Sequence, residues 1–212
     1  MADCYALLSP EEQARTNRYL VDSARRQFAV GRGLLRCLLG RYLQQDPRTI
    51  PLSYSDRGKP QLMADPPVLL QFNVSHSQDW VVYAVSAHHP VGIDTEWINP
   101  QLDYRPIAQR ILSDSDWGRF KILPVHQQPV AFFKIWSRME AVIKLCGQGL
   151  FKGLETCGVP IAVHTEGQWT DAPDTSVWVQ DLAIRDSFAT AIALPEPPQQ
   201  IETYEWPWTS SQ

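Results

Sequence analysis

Val91-Gly92-Ile93-Asp94-Thr95-Glu96 reads as an extended strand, and with it Trp136-Ser137-Arg138-Met139-Glu140-Ala141-Val142-Ile143-Lys144 reads as a helix. Side chains alternate along a strand, so Asp94 and Glu96 point the same way, about 7 Å apart. Glu140 and Lys144 are four residues apart and share a helical face. Two neighbouring carboxylates repel unless something positive lies between them. If three acids converge to about 5 Å at an effective dielectric near 20, each pair costs roughly 3 kcal/mol and the trio about 10. A divalent cation bound by Asp94, Glu96 and Glu140 removes that cost, and an all-oxygen donor set calls for a hard ion.

Around these stretches the chain alternates helices with short strands. Cys4 to Leu8 reads as a first strand, and Ser9-Pro10-Glu11-Glu12 as an N-cap, a first-turn Pro and first-turn acids. A long helix is expected over 23–43, with Phe28, Leu35, Leu38, Leu39 and Tyr42 as its buried stripe and Arg25, Arg32 and Arg36 on another face. Strands are expected over 68–73, 80–87 and 91–97, with Ser75-His76-Ser77 as a turn. Ser113 to Asp116 caps a short helix, 128–146 is a second long one, and strands are expected at 159–165, 177–184 and 188–194. The fold class is therefore α+β: two similar lobes related by a pseudo-twofold, each a small antiparallel sheet packed with a long helix. The lobes are placed at 1–98 and 99–194, followed by a proline-rich tail, 195–212, without regular structure.

Composition narrows the function classes. The chain has 212 residues, 44% hydrophobic and 20% charged, with net charge −4, which argues against a general nucleic-acid binder. Seven arginines between Arg15 and Arg41 make a local anion-attracting field in an acidic protein. No stretch approaches membrane-spanning length, and no basic segment leads an apolar run at the N-terminus. Cys4, Cys37, Cys146 and Cys157 form no CxxC pair and read as reduced thiols, so a cytoplasmic protein is expected.

Each site signal also has an ordinary explanation. An isolated D-x-E is usually a solvated strand face, and Glu140 with Lys144 alone is an exposed ion pair worth a few tenths of a kcal/mol. Apolar neighbours Trp136, Ala141, Val142 and Ile143 leave that helix little solvated surface, so the pair needs a partner. A Ser-His-Ser turn offers hydroxyls and an imidazole to a phosphate. No nucleophile elbow accompanies Ser75 and His76, which argues against hydrolase chemistry.

The order of the motifs is more specific than any one of them. Gly58-Lys59-Pro60, Phe72-Asn73-Val74-Ser75-His76-Ser77, Val91 to Glu96 and Trp136 to Lys144 together resemble the 4′-phosphopantetheinyl transferases of the two-lobed, Sfp-type group, from about Ser9 to Gly153. The resemblance implies Mg²⁺ (Mn²⁺ as an alternative) on Asp94, Glu96 and Glu140, with Lys144 on the pyrophosphate of coenzyme A. Lys59, Ser75 and His76 would line the coenzyme A site, and Arg15 and Arg32 would meet its phosphates. Glu140 would be the catalytic base, with Glu96 as second choice. The acceptor would be a serine of an apo acyl or peptidyl carrier protein, met by the 100–125 segment with Arg105, Arg110, Arg119 and Lys121; no nucleic acid or membrane is implied, and a monomer is expected. Two departures stand out: Glu12 replaces a lysine found in some members, and Met139 replaces the lysine often found before the helix glutamate. Competing expectations are a non-catalytic coenzyme A or nucleotide binder that chaperones carrier proteins, and a metal-dependent phosphodiesterase.

Overall fold

A computed structural model describes residues 2–55, 58–63, 69–147, 169–172 and 175–206. Its elements are α1 (Ala2–Ala6), α2 (Pro10–Asn17), α3 (Asp22–Leu43), a 3₁₀ turn (Pro47–Thr49), β1 (Leu52–Tyr54), β2 (Pro60–Leu62), β3 (Gln71–Ser77), β4 (Trp80–Ser86), β5 (Gly92–Trp97), α4 (Arg105–Ile111), α5 (Asp114–Lys121), α6 (Gln128–Cys146), β6 (Trp169–Ala172), β7 (Thr175–Asp181) and β8 (Phe188–Leu194). The α+β class expected from the sequence is met. The chain divides into two units, one of 1–53, 62–68 and 204–212, the other of 54–61 and 69–203.

In the first unit α2 starts with a capping box: Ser9 Oγ accepts from the Glu12 N–H at 3.3 Å, and the Ser9 N–H donates to Glu12 Oε2 at 2.9 Å. That carboxylate is buried and also takes Arg36 Nε at 2.6 Å, while Arg36 Nη1 reaches the carbonyls of Pro47 and Ile50, both at 3.0 Å. One arginine thus ties α2, α3 and the 3₁₀ turn together, and each of its bonds satisfies a group that burial would otherwise leave bare. The buried face of α3 therefore carries Arg32 and Arg36 beside Leu35 and Leu39, whereas Tyr42, expected in the stripe, is exposed.

Cys4 to Leu8 is not a strand; residues Ala2–Ala6 form α1. A short apolar run fits either period, and the contact with α3 decides it. The Cys4 backbone lies so close to Gly33 that a Cβ there would stand 2.8 Å from the Cys4 carbonyl oxygen.

In the second unit β3 pairs antiparallel with β4, and β5-β8-β7-β6 form a four-stranded antiparallel sheet. Ser75-His76-Ser77 is the end of β3, not a turn; the chain reverses after it, at Gln78, whose φ is 53°. The strand expected at 159–165 lies outside the described residues. Helix α6 packs on the sheet through Ala141 and Val142, which meet Val177, Val179, Ala191 and Ala193. Its other apolar side joins Phe132, Phe133, Ile135, Met139 and Ile143 to Phe120. Arg138, beside Met139, is spent on Asp181 of β7 in a bidentate pair with both distances 2.6 Å. Gly147, at φ 67°, ends the helix in the left-handed conformation that glycine adopts without strain.

Candidate active site

Polar side chains at every second position of β3 face β5 and take its outward N–H groups. Asn73 Oδ1 accepts from Ile93 N at 3.2 Å, Ser75 Oγ from Thr95 N at 3.2 Å, and Ser77 Oγ from Trp97 N at 2.9 Å. The two strands belong to different sheets, so these side chains do what a main-chain ladder would otherwise do. Both serines then donate their own protons to a carboxylate: Ser75 to Asp94 Oδ1 at 2.9 Å, and Ser77 to Glu96 Oε2 at 3.1 Å. The polar run that resembles a turn in the sequence is a set of rungs holding β5 and its acids.

Gly92 brings in the helix. A Cβ at this position would collide with the Ala141 carbonyl oxygen and stand 2.7 Å from Leu145 N. Helix α6 therefore rests directly on β5, with Glu140 and Lys144 at either end of the contact. Lys144 Nζ lies 2.7 Å from Asp94 Oδ1 and 2.9 Å from Ser75 Oγ. Ser75 consequently uses its one donor and both lone pairs within the protein. Lys59 Nζ donates to the Lys144 carbonyl at 2.9 Å, capping the last turn of α6; burial pushes its pKa below 10.5 against the opposing effect of Cys146. His76 points to the opposite side of β3, is exposed as a residue, and has its pKa lowered from 6.5 by shielding from water and then by Lys144.

Asp94 is 2% exposed, and its Oδ2 is buried with no hydrogen-bond partner. Such an atom costs about 1–3 kcal/mol or more when left bare. Glu96 and Glu140 have pKa values raised above 4.5, in both cases first by burial and then by the charge of Asp94. Among the described residues no three His, Cys, Asp or Glu side chains stand at ligand spacing for a metal. The donor chemistry nevertheless fits a hard cation: all oxygen, one carboxylate oxygen unclaimed, and two neighbours whose mutual repulsion a positive ion would reverse.

Arg15 and Arg32 belong to the first unit, where their guanidinium carbons lie 4.9 and 5.7 Å from the centre of the Phe28 ring. Arg32 Nε is also 3.5 Å from Glu12 Oε1. Thus Asp94, Glu96, Glu140, Lys144, Lys59, Ser75 and His76 fall in one unit and the two arginines in the other.

Residues 90–193 match the 4′-phosphopantetheinyl transferase superfamily, and residues 1–88 match the family described as 4′-phosphopantetheinyl transferase, N-terminal. The 4′-phosphopantetheinyl transferase HetI of a Nostoc species is 34% identical over 197 residues, covering 92% of this chain and 81% of the relative. The chain belongs to the 4′-phosphopantetheinyl transferases. The transferase Sfp of Bacillus subtilis is 28% identical over 202 residues (92% of this chain, 87% of Sfp), and psf-1 of Bacillus pumilus 37% over 139 (66% and 57%). The Sfp-type assignment drawn from the four ordered motifs therefore holds.

Within this transferase, Asn73, Ser77, Gly92 and Trp136 escape a reading based on ionisable residues. Their signal is positional: N-x-S-x-S at period two on β3, one glycine against a helix, and an indole one turn before Glu140. None of the helices among the described residues is long and apolar enough to cross a membrane.

Proposed function

We propose that this transferase moves the 4′-phosphopantetheine arm of coenzyme A onto a serine hydroxyl of an apo acyl or peptidyl carrier protein and releases 3′,5′-ADP. The observation that carries the reading is the buried, unpartnered Oδ2 of Asp94, set beside two glutamates with raised pKa values and the Lys144 ammonium. Asp94, Glu96 and Glu140 would hold Mg²⁺, with Mn²⁺ as a substitute, and the ion would supply positive charge to the pyrophosphate oxygens. Lys144, whose side chain is 29% exposed, can present its ammonium to the same oxygens while Asp94 keeps it in place. The family resemblance adds that Lys59, Ser75 and His76 would line the coenzyme A site and that Arg15 and Arg32 would meet its phosphates. The serine oxygen forms a bond to the β-phosphorus as the bond to the ADP oxygen breaks. Its proton passes to Glu140, with Glu96 as the second candidate.

Absence of a lysine at position 139, where this chain has Met139, is the one sequence feature that favours the non-catalytic binder. The Met139 side chain is 3% exposed in the Phe132–Phe133–Ile135 cluster, so it withdraws no charge from the acids. For carrier docking the segment 100–125 offers basic Arg105, Arg110, Arg119 and Lys121 together with Ile122, which is 82% exposed. The test is incubation with coenzyme A, Mg²⁺ and a panel of apo carriers, followed by mass spectrometry. The carrier should gain the mass of the arm with one 3′,5′-ADP released; no gain across the panel overturns the proposal. Release of phosphopantetheine without any acceptor would instead identify the phosphodiesterase.

A further inference from the structure

We infer that Ser77 is a positioning residue for Glu96: it transmits the fixed geometry of the β5 main chain to a carboxylate that the cation site needs. This inference rests on the metal reading above and deepens it. A glutamate on a strand has three rotatable side-chain bonds and, unheld, would lose its direction toward Asp94 and Glu140. Ser77 removes that freedom in two steps. Trp97 N–H donates to Ser77 Oγ at 2.9 Å, which occupies a lone pair and orients the hydroxyl; the hydroxyl proton then goes to Glu96 Oε2 at 3.1 Å. Both partners are on β5, one residue apart, so the serine measures the Glu96 side chain against its own backbone.

The same device recurs two residues earlier, where Ser75 takes the Thr95 N–H and donates to Asp94. Recurrence at the strand period shows that the arrangement follows from the pairing of β3 with β5 side chains and not from a chance rotamer. Ser75 is also bound to Lys144, so removing it disturbs several groups. Ser77 offers the cleaner test. Neighbours of ligating carboxylates act in this way in metal sites generally, by limiting the directions a ligand can take.

The experiment is Mn²⁺ binding to the whole chain without coenzyme A or carrier, read from the electron paramagnetic resonance signal of the free ion. Ser77→Ala should weaken Mn²⁺ binding by about 10–100-fold, and Ser77→Thr, which keeps the hydroxyl, should restore it to within about threefold. In a Glu96→Gln background Ser77→Ala should add less than about twofold, because the residue acts through that carboxylate. Unchanged affinity in Ser77→Ala overturns the inference. So does an equal loss with and without Glu96→Gln, which would make Ser77 a rung of the strand pairing and nothing more. If Ser77→Ala does not fold, Ser77→Cys keeps the size with a weak donor and is read the same way. A wild-type chain that takes up no Mn²⁺ overturns the cation reading itself, an outcome distinct from either of these.

Discussion

Gly92 of β5 lies against the Ala141 carbonyl of α6, with no room for a β-carbon between them. This contact sets how close Glu140 and Lys144 come to Asp94. Gly92→Ala must push the helix off the strand, at about 1–3 kcal/mol in stability. Transfer should suffer more than folding does, because the 2.7 Å contact between Lys144 and Asp94 opens when the helix moves. Thermal melting beside transfer rates checks this; a variant with near-normal rates would show that the close approach does not serve the site.

Met139→Lys restores the residue that other members of the family often carry there. In this chain the side chain at 139 packs among Phe132, Phe133 and Ile143, so an ammonium would be placed in the core. The variant should lose about 2 kcal/mol or more of stability by denaturant titration and gain no transfer rate. Faster transfer at unchanged stability would mean that position 139 reaches the reacting groups.

Glu12→Lys, which introduces the lysine found in some members of the family, should cost about 3–5 kcal/mol, since it breaks a buried pair with Arg36 and leaves that guanidinium facing a second cation. Coenzyme A binding by the fraction that folds should not improve. Improved binding with intact stability would place residue 12 at a phosphate.

Glu96 and Glu140 titrate above 4.5, through burial and then Asp94, so the folded chain binds their protons more readily than the unfolded chain does. In metal-free buffer they therefore reduce stability at pH values above their raised pKa, and the penalty fades as pH falls toward the unfolded value. Glu140→Gln in EDTA should accordingly be more stable than the wild type at about pH 8, with the gap closing toward about pH 5. A gap independent of pH would show that Glu140 is not held against its neighbours.

The two long helices were legible to within a residue, because each combines a stripe of period 3.6 with an end signal such as Gly147. Within the candidate site only the local relations were legible: Asp94 and Glu96 lie two residues apart on β5, and Glu140 and Lys144 four apart on α6. What was not legible depends on contacts between distant residues. The Cys4 segment becomes a helix against Gly33, and Arg36 turns inward because Glu12 and the carbonyls of Pro47 and Ile50 await it. Ser75 and Ser77 look like a turn because hydroxyl residues usually make one; only the N–H groups of β5 reveal them as rungs.

The most direct measurement is anomalous diffraction at the manganese edge from crystals grown with Mn²⁺ and coenzyme A. The account predicts one peak within about 2.0–2.6 Å of Asp94 Oδ2, with carboxylate oxygens of Glu96 and Glu140 around it. A peak elsewhere, or Glu140 turned away from an ion bound by the other two, would contradict it.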